Sequence, residues 1–222
     1  MSFINAVSDL CEATGADVVA LADALGRDDR IGRRFLNAGL GFGGGCLPKD
    51  IRATMARADE LGVDHAGGLL REVDAINLRR RHRIVELAVE ECGGSVQHCR
   101  IGVLGAAFKP RTDDVRDSPA LDVATQLSER GADVRVYDPQ ANASAAAAFP
   151  LLQYVDSALD AVTEAHLVLH LTEWPEFRRL DPAELTPLAR EPRLLDARNA
   201  LDADRWVAAG WSYRAPGRPR LP

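Results

Sequence analysis

The sequence predicts an α/β protein in which a helical region, residues 1–93, precedes a parallel-sheet domain, residues 94–214. Two observations support this division. Apolar residues recur at helical spacing up to the break formed by Cys92-Gly93-Gly94-Ser95. From Arg100 onward, short apolar runs typical of buried strands alternate with helical segments. Such βαβ alternation indicates a parallel sheet covered by helices, with ligands bound at the carboxyl ends of the strands.

The first region is predicted to contain four helices. Their apolar periodicity places them at residues 2–13, between Ala16 and Gly26, at 48–62 and, unusually long, at 64–92. The segment 28–40, between the second and third helices, is predicted to be a loop with the pair Phe35-Leu36 as its apolar anchor.

The second region is predicted to alternate between strands and helices over most of its length. Five strands are expected at residues 101–105, 133–138, 152–155, 166–171 and 193–196, with helices at 118–130, 141–148 and 157–164. The last residues, 215–222, are rich in proline and arginine and are predicted to form a disordered tail.

Polar residues gather directly after these strands. The clusters are Phe108-Lys109-Pro110 with Thr112 to Arg116, Asp138-Pro139, Thr172-Glu173-Trp174-Pro175, and Asp196 to Asn199. Because the carboxyl ends of parallel strands share one edge of a sheet, these clusters predict a ligand site there. Gly102 and Gly105 do not complete the Gly-x-Gly-x-x-Gly fingerprint, so this sheet gives only weak evidence for dinucleotide binding.

Composition limits the possible partners. With 222 residues, 46% of them hydrophobic, the chain can bury a substantial core. The net charge of −6 and the pI near 5.4 argue against a nucleic-acid partner. The basic run Arg79 to Arg83 lies within the long helix, which favours a solvated or interface-rim face over a phosphate track.

Localisation and metal content are also constrained by the sequence. No apolar run approaches the roughly 20 residues that span a bilayer, and no signal peptide is recognisable. Neither membrane association nor secretion is therefore expected, and the protein is predicted to be cytoplasmic. The four cysteines form no Cys-x-x-Cys pair and predict no metal site. Cys11, Cys92 and Cys99 are interpreted as reduced structural or surface thiols.

The stretch Gly39 to Asp50 is the strongest local signal. Five of its twelve residues are glycine, which allows positive φ and close approach to a ligand, and Pro48 suits the first turn of a helix. Cys46 would then lie at a helix N-terminus, where unpaired N–H groups and the helix dipole favour a thiolate, with Lys49 acting in the same direction. A small buried cysteine in a loop is the alternative reading.

Lysine usage favours the functional reading. Of 27 basic residues only Lys49 and Lys109 are lysines, and both lie in loops with motif character. A chain that uses arginine for general positive charge has kept lysine where a compact, rotatable ammonium is needed. Cys46 is therefore interpreted as a nucleophile.

The glycine-rich stretch resembles the active-site loop of the UDP-glucose/GDP-mannose dehydrogenase family. Residues 41–50 read Gly-Phe-Gly-Gly-Gly-Cys-Leu-Pro-Lys-Asp where UDP-glucose dehydrogenases have Gly-Phe-Gly-Gly-Ser-Cys-Phe-Pro-Lys-Asp, so Gly45 and Leu47 depart from the pattern. Further matches are Ser2-Phe-Ile-Asn5, Cys11 to Val18, Asp29-Arg-Ile-Gly32 and Thr172 to Phe177. The resemblance implies a central region that forms a homodimer through the long helix, followed by a Rossmann-like UDP-binding domain.

The resemblance also implies a chemistry. In that family UDP-glucose is oxidised to UDP-glucuronate with two NAD, through a thiohemiacetal and a thioester on the cysteine. Cys46 would be the nucleophile, Asp50 would help to orient the hydrolytic water, and Lys49 would stabilise developing negative charge.

Binding roles follow from the same resemblance. It implies substrate contacts from Arg30, Phe35, Leu36, Asn37, Phe42, Gly43, Phe108, Lys109 and Arg198, with Arg30 reaching the substrate of the neighbouring subunit. Arg116 would lie near the NAD cofactor. From the residues alone, a surface salt bridge to Asp28 or Asp29 is the more economical role for Arg30.

The resemblance covers the central and C-terminal parts of the family. The N-terminal NAD-binding domain has no counterpart in these residues, so low turnover is expected unless a separate N-terminal domain is supplied. Two alternatives stay open. One is a non-catalytic module that binds sugar nucleotides and dimerises; the other is a dehydrogenase of another sugar nucleotide, such as UDP-N-acetylmannosamine or GDP-mannose.

Overall fold

A computed structural model describes residues 1–220 and shows the four helices predicted for the first region. They are α1 (Ser2–Thr14), α2 (Val18–Leu25), α3 (Leu47–Glu60) and α4 (Asp64–Glu91). The Asp17 carboxylate caps α2 by accepting the Val19 amide at 2.7 Å, and Gly15, with φ of 73°, ends α1. Both α1 and α3 pack against α4, which is the axis of this half.

The second region forms one six-stranded parallel sheet. Its strands are β1 (Arg100–Leu104), β2 (Asp133–Tyr137), β3 (Gln153–Tyr154), β4 (Leu167–His170), β5 (Arg193–Asp196) and β6 (Ser212–Arg214). Their order is β3-β2-β1-β4-β5-β6, which confirms the predicted α/β, Rossmann-like class. The order reverses between β1 and β4, and in such sheets the ligand crevice lies at that reversal.

Helices connect the strands on both sides of the sheet. They are α5 (Pro119–Glu129), α6 (Asn142–Ala148), α7 (Ala158–Val162), α8 (Pro175–Arg179), α9 (Pro182–Leu185) and α10 (Ala203–Ala208). The strand β6 and the helices α8, α9 and α10 were not predicted. Each spans three to six residues, which is too short for a periodic pattern to emerge from the sequence.

The helix α4 belongs to both halves of the molecule. Its C-terminal part contributes Ile84, Val85 and Leu87 to the large core that the sheet and its helices form. A smaller core, composed of Ile4, Cys11, Val18, Ala22, Leu36 and Ala38, lies among α1, α2 and the loop that follows. The two regions are therefore packed on a common helix.

The end of the chain is ordered where disorder was predicted. Residues 215–217 are buried, the Gly217 carbonyl accepts the Val18 amide at 2.8 Å, and the Gly217 amide donates to Glu12 Oε1 at 3.0 Å. Arg218 pairs with Asp17 at 3.1 Å. The prediction of a disordered tail is wrong for residues 215–218, because composition did not reveal that α1 and α2 offer partners to this segment; residues 221 and 222 lie outside the described part.

The described residues contain neither a helix suited to crossing a membrane nor a metal cluster. Among residues 1–220, no helix combines the necessary length with the necessary apolar character. The same residues bring together no group of three or more His, Cys, Asp or Glu side chains able to share an ion. All four cysteines are free thiols.

Candidate functional site

A cleft of about 550 Å³ opens at the carboxyl ends of β1, β4 and β5. Phe108 and Lys109, which follow β1, line it together with Glu173 after β4 and Arg198 after β5. The opposite wall is the segment Gly41 to Leu47, here called the glycine loop. The polar clusters predicted from the strand ends therefore do meet, at the point where the strand order reverses.

A groove between α1 and α4 is larger, at about 620 Å³. It is lined by charged residues that already pair with each other, such as Arg83 with Glu12 at 2.7 Å, and it contains none of the strand-end residues. The cleft at the sheet edge is the better candidate site, because it combines apolar surface with convergent polar groups.

The glycine loop is pressed between two parts of the sheet domain. Gly44, with φ of 93°, lies against the Phe108 ring, and an added Cβ there would be 2.8 Å from it. The Gly44 amide donates to the Arg116 carbonyl at 2.9 Å. Such close approach is possible only without side chains, which explains why the sequence is glycine-rich at this position.

The long helix holds the loop from its other side. Asn77, Arg80 and Arg81 are 1%, 1% and 4% exposed. Arg80 Nε donates to the Gly39 carbonyl at 3.1 Å, and Arg80 also pairs with Asp9. The interpretation of the basic run as a solvated face is therefore wrong for Arg80 and Arg81, because a charge count does not reveal which helix face is buried.

Cys46 lies at the N-terminus of α3, on the wall of the cleft. It is the N-cap residue, its side chain is exposed, and Pro48 lies in the first turn that follows. Lys49 and Asp50 do not line the cleft: their side chains are 72% and 65% exposed and pair with each other at 3.6 Å. The Lys49 ammonium therefore faces solvent and Asp50 rather than the cleft, and the influence of Lys49 on the Cys46 thiol stays a prediction.

Arg116 is a cation on the sheet-domain wall that lies against the loop bearing Cys46. Its guanidinium lies over Gly45, where an added Cβ would be 2.5 Å from Arg116 Cζ. A bidentate pair with Asp114, with contacts of 2.6 to 3.2 Å, raises the pKa of Arg116, and the negative charge of Cys46 in its thiolate form adds a smaller effect in the same direction. Gly45, a departure from the family pattern, is what makes room for this arginine.

Phe108 and Lys109 stand on a rigid base. The backbone amides of the two preceding residues both donate to Asp138 Oδ2, at 2.8 and 3.0 Å. Their carbonyls accept the hydroxyls of Ser118 at 2.6 Å and Thr172 at 2.7 Å. Lys109 Nζ lies 5.2 Å from the centre of the Phe108 ring, within cation–π range. The pair is therefore presented to the cleft on a fully hydrogen-bonded backbone.

Asp138 has no oxygen left for a ligand. Besides the two amides, Oδ2 accepts Trp174 Nε1 at 3.0 Å, and Oδ1 accepts the amides of Gln140 and Ala141 at 3.0 and 2.8 Å. An acidic residue at the end of the second strand binds the ribose in dinucleotide-binding sheets. Because Asp138 is fully occupied and the glycine fingerprint is incomplete, this sheet does not fit NAD.

Arg198 links the sheet to the glycine loop. Its side chain is 12% exposed and lies 3.3 Å from the Glu173 carboxylate. Nε donates to the Leu171 carbonyl at 2.7 Å, and Nη1 donates to the Gly41 carbonyl at 2.9 Å. Burial lowers the pKa of Arg198, while Glu173 and Asp196 act against this shift. Within residues 1–220, its Nη2 is buried and has no hydrogen-bond partner.

Trp174 closes the sheet edge beside Arg198. The motif that begins at Thr172 has residue types that suit either a loop contacting a ligand or an aromatic plug over the sheet edge. Trp174 is 4% exposed and hydrogen-bonded, whereas Glu173 lines the cleft. The two readings therefore apply to neighbouring residues of the same motif.

Four predicted substrate residues lie away from Cys46. Arg30 is 88% exposed and forms a bidentate pair with Asp28, which matches the surface-bridge alternative. Phe35 is 69% exposed, while Leu36 belongs to the smaller core. Asn37 lines a separate crevice of about 200 Å³, which borders on Arg198.

Sequence reasoning missed the residues that brace the site. Asn77 and Arg81 were not named as site residues, although both contact the glycine loop that forms one of its walls. One signal was present: Asn77 and Arg81 lie four residues apart and in line with the buried Ile84 and Val85, so polar side chains occupy core positions of a helix.

Comparison with protein families gives two matches that together extend over most of the chain. The model of the UDP-glucose/GDP-mannose dehydrogenase family, central domain, matches residues 1–79. The model of the UDP binding domain of the same family matches residues 102–203. The interval between the two matches, residues 80–101, contains the C-terminal part of α4 and the start of β1.

Individual proteins show the same relationship. UDP-glucose 6-dehydrogenase TuaD of Bacillus subtilis is 40% identical over 222 residues, covering 100% of this chain and 48% of the relative. UDP-glucose 6-dehydrogenase of Rhizobium meliloti is 38% identical and covers 99% of this chain and 50% of the relative. The chain thus spans about half the length of the curated relatives it matches.

Solved structures agree in fold. The UDP-glucose dehydrogenase of Pyrobaculum islandicum superposes with a TM-score of 0.86 at 34% identity, covering 98% of this chain and 48% of that one. The UDP-D-ManNAc dehydrogenase of Pyrococcus horikoshii gives a TM-score of 0.79 at 26% identity, with coverages of 98% and 48%.

Proposed function

The chain belongs to the UDP-glucose/GDP-mannose dehydrogenase family, and we propose that it supplies the sugar-nucleotide site and the nucleophile of a UDP-glucose 6-dehydrogenase. One observation carries the proposal: the Cys46 thiol, the Phe108–Lys109 pair and Arg198 line a single cleft at the strand-order reversal of the sheet. Cations and an aromatic face suit a diphosphate and a base, and the thiol suits an aldehyde carbon.

The nucleophilic steps can be assigned to residues of this chain. Once a first oxidation has converted the C6 alcohol of UDP-glucose to an aldehyde, the Cys46 thiolate adds to the aldehyde carbon, and the carbonyl oxygen takes up a proton to become the thiohemiacetal hydroxyl. A second oxidation converts the thiohemiacetal to the thioester. Water then attacks the thioester carbonyl, the Cys46 thiolate leaves, and the carboxylate of UDP-glucuronate is formed. Asp50, whose amide donates to the Cys46 carbonyl at 2.9 Å, stands one turn away as the proposed water-orienting group, and Lys49 beside it as a source of positive charge.

Hydride acceptance is not assigned to this sheet. NAD supplies the oxidising equivalents in the reaction proposed here, but the saturated Asp138 and the incomplete fingerprint do not fit it. Arg116, which is 72% exposed at the mouth of the cleft, is the residue we propose to face a cofactor held elsewhere. The contribution of this chain is thus binding and nucleophilic catalysis.

Calorimetric titration with UDP-glucose tests the proposal directly. We expect saturable binding of UDP-glucose and weaker binding of GDP-mannose, since the relatives that match over the whole chain are UDP-glucose 6-dehydrogenases. Preference for GDP-mannose or UDP-N-acetylmannosamine would reassign the substrate. A folded sample that binds none of the three would contradict a sugar-nucleotide site in this chain.

Replacing Lys109 by alanine should weaken UDP-glucose binding on the order of tenfold, because a charge-assisted contact is lost from the cleft. The measurement is the dissociation constant by calorimetry. Arg57→Ala is the matched control, since Arg57 is 65% exposed and pairs with Glu60 at the far end of α3. Equal affinities for wild type and Lys109→Ala would remove Lys109 from the site.

Cys46 should react with iodoacetamide at least about tenfold faster than the other three thiols at neutral pH. Cys46 is exposed, whereas burial raises the pKa of Cys11, and burial together with the adjacent Cys99 raises the pKa of Cys92 to about 12. Peptide mass spectrometry of time points gives the four rates. Cys46→Ser should abolish the fast phase, and uniform labelling of the folded protein would argue against an accessible nucleophile.

A further inference from the structure

The helix α4 carries a buried polar face towards the glycine loop. Asn77 and Arg81, four residues apart, are 1% and 4% exposed, and neither lines the cleft. Buried polar side chains are costly unless their hydrogen bonds are made, so what they bind indicates why they are there.

Asn77 binds both backbone groups of one loop residue. Its Oδ1 accepts the Phe42 amide at 2.8 Å, and its Nδ2 donates to the Phe42 carbonyl at 2.9 Å. The Asn77 side-chain amide therefore pairs with the backbone groups of Phe42 in the way that the backbone of a neighbouring β-strand would. Phe42 lines the cleft and is followed directly by Gly43 and Gly44. Asn77 therefore fixes the loop next to its most flexible residues.

Arg81 joins the two walls of the cleft. Its Nη2 donates to the Phe42 carbonyl at 3.4 Å, on the glycine-loop side. Its Nη1 donates to Asp117 and Asp122 at 3.0 Å each, on the sheet-domain side. Asp117 directly follows Arg116, whose carbonyl accepts the Gly44 amide. One guanidinium therefore sets the distance between the loop that bears Cys46 and the segment that bears Arg116.

We infer that Asn77 and Arg81 are positioning residues of the cleft: they fix the spacing of its walls and thereby the affinity for the ligand, without touching the ligand. The identity of the ligand rests on the proposed function; the positioning role rests on the hydrogen bonds. A planar fork that serves three acceptors cannot be replaced by a lysine, which can satisfy them only in part.

The test combines hydrogen exchange with calorimetry on the full chain, at a temperature well below the melting point of every variant. In Asn77→Ala, the peptide containing Phe42 and Gly44 should exchange roughly tenfold faster, and the UDP-glucose dissociation constant should rise on the order of tenfold. Arg81→Ala should behave similarly, with Arg81→Lys between it and the wild type. Arg79→Ala is the control: Arg79 lies on the same helix, is 60% exposed, and should change neither quantity.

The outcomes separate the positioning role from a general effect on stability. If a variant melts at a lower temperature but its folded form keeps both slow loop exchange and unchanged affinity, the inference is overturned. If loop exchange rises while affinity stays the same, the claim that wall spacing governs binding is overturned. If wild type itself does not bind UDP-glucose, the proposed function fails, and unchanged loop exchange in Asn77→Ala would then overturn the positioning role separately.

Discussion

Replacing Asp196 by asparagine should lower the free energy of unfolding by about 3–5 kcal/mol, because it breaks a buried, charged hydrogen-bond centre. Asp196 is 0% exposed at the end of β5, directly beneath Arg198. Its two oxygens take part in five hydrogen bonds, with His170 Nδ1 at 2.7 Å, the Arg198 amide at 3.0 Å, and the amides of Ala200 and Leu201 and the Tyr213 hydroxyl at 2.8 Å each.

Asparagine cannot reproduce this arrangement. Its NH₂ group would have to face donors wherever it is placed: the Arg198 amide on one side, or the Tyr213 hydroxyl and two amides on the other. Burial and the Asp196 carboxylate raise the pKa of Tyr213, so that side chain remains a donor. At least one buried donor would be left without an acceptor, which is the costly outcome.

The same centre predicts an acid-dependent loss of stability. Burial alone would raise the pKa of Asp196, but attraction to His170 and the hydrogen bonds from His170, Leu201 and Tyr213 lower it to about 2. An unfolded aspartate has a pKa of about 3.9, so between these values the unfolded state binds more protons. The contribution of Asp196 is complete above about pH 4 and is lost as the pH falls towards 2.

Urea unfolding at pH 7 and at pH 3 measures both effects. The difference in free energy of unfolding between wild type and Asp196→Asn should be large at pH 7 and smaller at pH 3, because protonation of Asp196 removes part of its stabilising contribution in the wild type. Asp156→Asn, at an exposed aspartate in the loop after β3, is the control and should change the free energy of unfolding by less than about 0.5 kcal/mol. A pH-independent difference between wild type and Asp196→Asn would contradict the assigned pKa shift.

Most of the fold was predictable because its elements are long or strongly patterned. The helix α4, with 28 residues, and the buried strands β1 and β4 carry enough periodicity to be recognised from the sequence. The strand β6 has three residues at an edge of the sheet, and its Tyr213 is buried and donates a hydrogen bond to Asp196. Such short elements depend on tertiary contacts that local pattern does not contain.

The chemically functional residues of the candidate site were easier to predict from the sequence than the residues that hold its walls in place. Cys46 and Lys109 stood out because their residue types are rare in this chain and lie in glycine- or proline-marked loops. Asn77 is 35 residues from Phe42 in the sequence, and Arg81 is 36 residues from Asp117. Their role therefore becomes visible only in the folded structure, where the loop packs against the helix. Lys49 is close to Cys46 in sequence, yet its ammonium faces solvent and Asp50 rather than the cleft, an orientation that only the folded helix α3 reveals.

Replacing Gly43 by alanine should destabilise the protein by about 2–3 kcal/mol and weaken UDP-glucose binding at least about tenfold, because the new methyl group meets backbone that cannot move aside. An added Cβ would overlap the Asp117 carbonyl oxygen and lie 2.7 Å from Pro119 Cδ. Gly43 does not have a positive φ, so the conflict is one of space rather than of backbone conformation. Relief requires the glycine loop to move away from the segment that bears Arg116.

Gly68→Ala provides a matched control, since the same methyl group is added elsewhere in the chain. Gly68 lies within α4 and has no atom within 4 Å of an added Cβ, so alanine should raise the free energy of unfolding by about 0.5–1 kcal/mol through helix propensity. Urea unfolding and calorimetry on both variants should therefore give opposite signs for stability and a loss of affinity for Gly43→Ala alone. If both variants were stabilised and both bound UDP-glucose as the wild type does, the glycine loop could not lie against Asp117, and the cleft would lose one of its walls.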